Sequence, residues 1–170
     1  MSCSAALSWR VATTDDLAAI DRIAGEVHVS LPERPVVFAE KQSLFPEGCF
    51  VLIEARAVIG YGLCHPWTLN NIPALDSFLG TVPQSPECLF IHDVAVLPHA
   101  RRRGAARALL DRIAALAMQR GITFLALVSV YGTERLWARH GFTLVFDDQR
   151  LRAKLASYGG TARYMVRRLG

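Results

Sequence analysis

The chain has 170 residues, of which 52% are hydrophobic and 20% charged, and its formal net charge is +4 at pH 7. This length suits a single domain over residues 1–170, and the composition excludes a disordered chain. No apolar run is long enough to cross a bilayer, and the first ten residues lack the pattern of a secretion signal. We therefore expect a cytoplasmic protein with no membrane partner.

Hydrophobic periodicity predicts the elements of the first half of the chain. Alternating or continuous apolar runs favour strands over 6–13, 49–55 and 57–67. Apolar residues at helical spacing favour a helix over 13–27, capped by Thr14 or Asp15, and a short helix between Pro35 and Pro46. The second and third strands form a hairpin that turns at Ala55 and Arg56.

The segment over residues 68–87 has no sustained period and contains three prolines. Loops of this length in compact domains are commonly functional. It is either a substrate loop or a variable insertion, and the sequence leaves both open.

The second half predicts a strand–helix–strand unit followed by smaller elements. A buried strand covers 88–97, an amphipathic helix covers 103–120, and a second buried strand covers 122–130. A short helix over 133–141 and strands over 142–147 and 162–169 follow. The first three elements make a right-handed parallel crossover, and the other strands are expected to be antiparallel. The fold class is therefore α/β (or α+β) with a mixed sheet.

The four cysteines, Cys3, Cys49, Cys64 and Cys88, form no CxxC pair. Their spacing fits neither a zinc site nor a disulfide framework, and three of them lie in apolar runs. Buried free thiols are the expected state, and an activated cysteine nucleophile is the alternative. We expect no metal site.

The turn "VLPHARRRGAAR" (96–107) places three arginines at the start of the helix. A helix N-terminus has unpaired N–H groups and partial positive charge. Because Gly104 and the alanines after it leave the backbone uncovered, the turn predicts a phosphate-like anion site. A solvated basic helix start is the alternative. Neither a Walker A motif nor a GxGxxG motif is present.

The pattern R-x-x-G-x-A at 101–106, preceded by "VAV-x-P", resembles the signature of the GCN5-related N-acetyltransferase (GNAT) family. The segment "LWARHGF" (136–142) is similar to the L-Y-x-x-x-G-F segment of that family. The resemblance implies a mostly antiparallel mixed sheet with helices on both faces and a splayed pair of parallel strands. It also implies acetyl-CoA as the co-substrate.

By the same resemblance, the turn and the preceding strand bind the cofactor. Backbone N–H groups after Arg101 would hold the pyrophosphate, and the strand before the turn would pair with the pantetheine arm. The implied cofactor-binding residues are Val94, Ala95, Val96, Arg101, Arg102, Arg103, Gly104, Ala105, Ala106 and Arg107.

The implied reaction is direct transfer of acetyl from the thioester to a small-molecule or peptide amine, which must first lose a proton. His92 is the first candidate base, since the arylalkylamine branch of the family carries a histidine there. The alternative is a buried histidine that is hydrogen-bonded to a loop. Unless a bulge interrupts the strand, alternation puts Asp93 on the opposite face, so at most one of the two should face the substrate. Trp137 stands where the family has its tyrosine acid, so Tyr131 is the candidate replacement.

Four carboxylates, Glu33, Glu47, Asp76 and Glu87, are candidates to bind a cationic substrate, or they are solvated surface groups. A sensor that binds acyl-CoA without turnover and a basic nucleic-acid-binding module are alternative functions. We expect no nucleic-acid partner, because a nucleic-acid binder has no use for this turn between buried strands. A homodimer stays open.

Overall fold

The structure is a computed structural model that describes residues 6–146 and 149–170. Within these ranges, seven strands form one sheet in the order β1-β2-β3-β4-β5-β7-β6. The strands span Ser8–Val11 (β1), Cys49–Glu54 (β2), Ala57–Trp67 (β3), Cys88–Val96 (β4), Phe124–Ser129 (β5), Thr143–Leu144 (β6) and Arg163–Arg168 (β7). The α-helices are Leu17–Val27 (α1), Pro35–Leu44 (α2), Ala105–Gln119 (α3), Glu134–Ala138 (α4) and Gln149–Leu155 (α5).

The sheet is mixed, because β4 and β5 run parallel while the other neighbouring strands are antiparallel. Helix α3 connects the two parallel strands. These observations confirm the predicted fold class and the strand–helix–strand crossover. The hairpin turn at Ala55 and Arg56 is also confirmed, with positive φ angles of 46° and 70° that are typical of a type I′ turn.

Helix α1 begins later than predicted, and its cap is a different residue. A 3₁₀ turn over Thr14–Asp16 precedes the helix, and Thr13 forms a capping box with Asp16. Arg10 binds the Asp16 carboxylate at 2.7 Å. The prediction of Thr14 or Asp15 as the cap was wrong. Thr13 and Asp16 form the cap instead, and the ion pair with Arg10 holds Asp16 in place.

Helices cover both faces of the sheet. Leu89 of β4 belongs to a large buried cluster with residues of α1, α2 and α3. Phe90, its neighbour, belongs to a second cluster with Leu151 and Leu155 of α5. Successive residues of a strand point to opposite faces, so α5 covers the face opposite α3. Helix α5 was not predicted and lies in a basic stretch.

The described cysteines, Cys49, Cys64 and Cys88, are buried free thiols, as predicted. Burial raises the pKa of Cys49 and Cys88 to about 12 and that of Cys64 well above its usual value. A thiol that stays protonated at neutral pH is a poor nucleophile. Cys3 lies outside the described residues.

Candidate functional site

The parallel strands β4 and β5 separate partway along their length. They pair over Leu89–Ile91 and Leu125–Leu127. Beyond Ile91, β4 stays paired with β3 as far as Val96, and β5 stays paired with β7. A cleft of about 730 Å³ opens between the two strands, lined by both of them and by the start of α3. The predicted splayed pair is therefore present.

The turn before α3 presents backbone N–H groups to this cleft. Gly104 has a φ of 81° and precedes the first helical residue. The first hydrogen bond of the helix runs from the Ala108 N–H to the Gly104 carbonyl. The N–H groups of Ala105, Ala106 and Arg107 therefore have no carbonyl partner within the helix. A Cβ atom on Gly104 would meet no heavy atom within 4 Å. The turn thus has donors, and the space above Gly104 suits an anion.

The three arginines of the turn have different environments. Arg101 and Arg102 line the cleft. The Arg101 Nε donates a hydrogen bond to the Val96 carbonyl at 2.9 Å. Arg103 instead forms an ion pair with Glu54 at 2.6 Å and does not line the cleft. Two of the three cations are therefore available at the rim of the anion site.

A β-bulge changes which residues of β4 face the cleft. Leu63 of β3 pairs with Asp93, whereas the next residue, Cys64, pairs with Ile91. His92 is the extra residue in β4, and both His92 and Asp93 line the cleft. The expectation that at most one of them faces the substrate depended on regular strand alternation, which this bulge interrupts.

His92 is bound to a carboxylate from the connection between α1 and α2. Its Nε2 lies 3.0 Å from Oε1 and 3.1 Å from Oε2 of Glu33. Both side chains are almost fully buried. The Nδ1 atom of His92 is buried and has no hydrogen-bond partner among the described residues. A buried imidazole–carboxylate pair of this kind can take up or release a proton.

Asp93 has two partners, one on each carboxylate oxygen. Tyr61 donates its hydroxyl proton to Oδ2 at 2.5 Å, and the His28 Nε2 lies 2.8 Å from Oδ1. Burial alone would raise the pKa of Asp93, but His28 and Tyr61 outweigh it, and the pKa is lowered. Burial alone would lower the pKa of His28, but Asp93 outweighs it, and the pKa is raised. The two groups therefore form an ion pair.

Two aromatic side chains complete the wall on the β5 side. Tyr131 stacks on His28 with a centroid distance of 5.8 Å and is about half exposed. Burial raises its pKa. Trp137 lines the cleft and donates its indole proton to Thr133 at 3.2 Å. The indole has no proton to transfer reversibly, so of these two aromatic side chains Tyr131 is the one with a hydroxyl that can act as an acid.

Segment 68–87 is held over the connection between α1 and α2. It places Leu75 in the cleft wall. The contacts that hold it are Asp76 N–H to Glu33 (2.9 Å), Arg34 to Asp76 (2.9 Å), Lys41 to the Ser77 carbonyl (3.0 Å), and the Leu79 and Gly80 N–H groups to Glu40 (2.9 and 2.7 Å). The segment is thus connected to the cleft through Glu33.

Residues 14–142 match the family model described as the acetyltransferase (GNAT) family. The match covers more than half of the chain. The chain belongs to the GNAT acetyltransferase family. No curated protein sequence matches it.

Solved structures of GNAT proteins share the fold at low sequence identity. Ard1 from Thermoplasma volcanium is 18% identical, with a TM-score of 0.72 over 97% of this chain and 99% of that one. GphF, a GNAT-like decarboxylase in complex with isobutyryl-CoA, is 20% identical, with a TM-score of 0.77 over 96% and 100%. N-acetylglutamate synthase from Neisseria gonorrhoeae, in complex with coenzyme A and N-acetyl-glutamate, is 22% identical, with a TM-score of 0.69 over 98% and 36%.

Most of the residues predicted for the site of this GNAT chain lie together in the cleft. There are two exceptions. Ala95 is buried and does not line the cleft, and Arg103 does not line it either. The predicted residues that line the cleft are His92, Asp93, Val94, Val96, Arg101, Arg102, Gly104, Ala105, Ala106, Arg107 and Tyr131.

Of the four carboxylates considered for a cationic substrate, Glu33 lines the cleft. The others bind elsewhere: Glu47 to Arg120, Asp76 to Arg34, and Glu87 to the Leu69 N–H. Sequence analysis missed His28, which lies directly after α1. No motif surrounds it, and its role depends on a carboxylate 65 residues away, at Asp93.

Metal-ligand clusters and membrane-spanning helices are both absent from the described ranges. No three His, Cys, Asp or Glu side chains within 6–146 and 149–170 come together as a metal site. Among the helices of these same ranges, none has both the length and the apolar character to cross a membrane.

Proposed function

We propose that this GNAT chain is an acetyl-CoA-dependent N-acetyltransferase that acts on a primary amine of a small molecule. The observation that carries the proposal is the cleft between the splayed strands, with an anion-binding helix turn at one end and a buried imidazole–carboxylate pair at the other. The acetyl group would pass directly from the thioester sulfur to the amine nitrogen. The C–S bond breaks as the C–N bond forms.

The turn before α3 fits the pyrophosphate of acetyl-CoA. The N–H groups of Ala105, Ala106 and Arg107 would bind its oxygens, and Arg101 and Arg102 would neutralise its charge. A bound pantetheine arm would lie along Val94–Val96, whose Val96 carbonyl now accepts from Arg101. Arg101 would therefore exchange this carbonyl for the cofactor when the cofactor binds.

The acceptor amine must lose a proton, because a primary alkylamine has a pKa of about 10. We assign proton uptake to His92 together with Glu33. A proton that reaches the pair yields an imidazolium bound to a carboxylate, which is favourable in a buried site. Asp93 follows His92 in β4 and is held by His28 and Tyr61, so it fixes this part of β4 beside the His92–Glu33 pair. Tyr131 is the candidate donor of a proton to the leaving thiolate.

A second candidate function is an acyl-CoA sensor without turnover. The observation that favours it is Trp137, whose indole cannot act as the acid that this family has at the equivalent place. The two functions share the cofactor site and differ in whether free thiol is released.

The test is calorimetric titration with acetyl-CoA of the wild type and two glycine variants. Gly104→Glu puts a carboxylate in the space of the pyrophosphate, so we expect affinity to fall at least about tenfold, or 1.4 kcal/mol. Gly121→Glu is the matched control. Gly121 also has a positive φ, of 69°, and open space around it, but it follows the far end of α3.

We expect the Gly121→Glu variant to bind like the wild type. Equal binding by all three proteins would show that the turn does not hold the cofactor. Binding by the wild type without thiol release from any amine of a broad panel would favour the sensor.

A further inference from the structure

The part of the cleft farthest from the arginines has its own chemistry. We call it the acceptor end, and it consists of His28, Leu31, Glu33, Leu75, His92 and Asp93. All six residues line the cleft. His92 lies four residues before Val96, a distance of about 13 Å along an extended strand. The acceptor end is thus well separated from the turn that precedes α3.

The ionisable groups of the acceptor end are two carboxylates and two imidazoles. With both carboxylates ionised, their net charge is zero when both imidazoles are protonated and negative otherwise. Of the described residues that line the cleft, the arginines are Arg101, Arg102 and Arg107, all in the α3 turn, and there is no lysine. The acceptor end therefore offers no guanidinium or ammonium group to a substrate carboxylate.

The nearest cations behind the wall are committed to other partners. Lys41 is buried, and its ammonium donates to the Ser77 carbonyl at 3.0 Å. Arg34 binds both carboxylate oxygens and the carbonyl of Asp76. Neither Lys41 nor Arg34 lines the cleft. A negatively charged acceptor would have to displace these contacts, or break the His28–Asp93 ion pair, to find a cation.

Glu33 has an unused hydrogen-bond acceptor position for a cationic partner. Its Oε2 receives the Asp76 N–H and lies near the His92 Nε2, whereas Oε1 has His92 alone. A carboxylate oxygen accepts about two hydrogen bonds, so Oε1 has a free site. The surrounding walls are apolar at Leu31 and Leu75. An ammonium can therefore bind Glu33 while an apolar group lies against the leucines.

We infer that the acceptor is a small primary amine with an apolar body and no carboxylate, whose ammonium binds Glu33. The inference rests on the proposed function and deepens it. It excludes amino acids as substrates, because an α-carboxylate beside the reacting amine would lie among Glu33 and Asp93. Like charges placed next to one another in a buried site strongly oppose binding.

The experiment compares matched acceptors by thiol release from acetyl-CoA. The pairs are phenethylamine with phenylalanine, and isopentylamine with leucine, which differ only by the carboxylate. Phenylalaninamide is the control for size, because it has an uncharged group in the carboxylate position. We expect kcat/KM for each amine to exceed that for its amino acid by at least about 100-fold, with the amide closer to the amine.

A binding measurement separates recognition from catalysis. Calorimetry would follow phenethylamine binding to the protein–CoA complex in the wild type, Glu33→Gln and Glu47→Gln. We expect Glu33→Gln to weaken amine binding at least about tenfold and to leave the dissociation constant of CoA within twofold. Glu47→Gln removes a carboxylate outside the cleft and is expected to bind both ligands like the wild type.

The outcomes distinguish the inference from the function on which it rests. Failure of the wild type to bind CoA would overturn both. With CoA bound, preference for phenylalanine over phenethylamine would overturn the inference alone. Normal amine binding by Glu33→Gln would also overturn the inference alone. Acetylation of a peptide N-terminus without acetylation of any small amine would do so too.

Discussion

At the scale of single residues, the bulge in β4 decides the chemistry of His92. In a regular strand, His92 and Asp93 would face opposite sides of the sheet. The bulge brings both into the cleft. Each is then bound by a residue of the connection between α1 and α2, His92 by Glu33 and Asp93 by His28. One extra residue in a strand therefore assembles two imidazole–carboxylate pairs beside each other.

We expect His92→Gln to lower kcat by about 10²- to 10⁴-fold, the usual cost of losing a general base. Glutamine can still donate to Glu33, so the variant keeps the hydrogen bond but has no imidazole to accept the proton of the amine. The pH dependence of kcat near neutrality should flatten, and the affinity for CoA should not change. The measurement is a pH–rate profile of both proteins from pH 5.5 to 9.

The control for this profile is His99→Gln. His99 is an exposed histidine whose Nε2 lies 3.6 Å from Glu54, outside the cleft. Its substitution should change neither kcat nor the profile. If His92→Gln keeps the profile of the wild type, proton uptake belongs to another group.

Sequence analysis found site residues that lie close together along the chain and missed contacts between residues that lie far apart. The cofactor side was predicted from one continuous stretch, Val94 to Arg107, because a strand, a turn and a helix follow each other there. The acceptor side combines His28, Glu33, Leu75 and His92, which lie far apart in sequence. Their meeting depends on tertiary packing and on a bulge that no local pattern indicates.

At the scale of elements, the position of α3 depends on a glycine of β3. A Cβ atom on Gly62 would lie 2.4 Å from the Cδ2 atom of Leu109, a buried residue of α3. Strand β3 can therefore pack closely against the helix whose first turn forms the anion site. Gly62 is needed for close approach, a use of glycine that strand propensity does not reveal.

We expect Gly62→Ala to lower the free energy of unfolding by about 1–3 kcal/mol, because the added methyl group overpacks this contact. Urea unfolding would measure it. Gly25→Ala is the control, since Gly25 is an exposed residue of α1 with nothing within 4 Å of the added Cβ. That variant should gain up to about 1 kcal/mol from better helix propensity. A neutral Gly62→Ala would show that Leu109 moves aside freely.

The elements near the C-terminus were the least predictable. Of the predicted strand over 142–147, the structure describes residues 142–146, and the strand there spans Thr143–Leu144. The basic stretch that follows contains α5. Helix α5 is short, and just two of its residues, Leu151 and Leu155, are buried. A stripe of two leucines four residues apart is too brief to stand out from a charged loop.

At the scale of the whole molecule, the buried His65 and the partly buried His28 have opposite effects on how stability depends on pH. His65 lies among Trp67, Phe90 and His92, and burial lowers its pKa to about 3. His28 has a raised pKa, since Asp93 outweighs the effect of burial. In the unfolded chain both titrate near their ordinary value of about 6.5.

The sign of each effect follows from which state binds more protons. Between pH 3 and 6.5, the unfolded chain protonates His65 and the folded protein does not, so stability rises with pH. Above 6.5, the folded protein keeps the His28 proton and the unfolded chain loses it, so stability falls as pH rises through the folded pKa of His28. The free energy of unfolding should therefore reach its maximum near pH 6.5.

Urea unfolding from pH 5 to 8 would test this maximum with two variants. His65→Gln should flatten the acidic side, where one proton contributes at most about 1.4 kcal/mol per pH unit. His28→Asn should flatten the alkaline side and lower stability by about 3–5 kcal/mol below pH 6.5, because Asp93 loses its buried partner. Since His65 packs against His92 whereas His28 pairs with Asp93, each variant should keep the other side of the curve unchanged. A wild-type curve that rises steadily from pH 5 to 8 would mean that His28 is neutral in the folded protein, and that it can offer Asp93 a hydrogen bond but no positive charge.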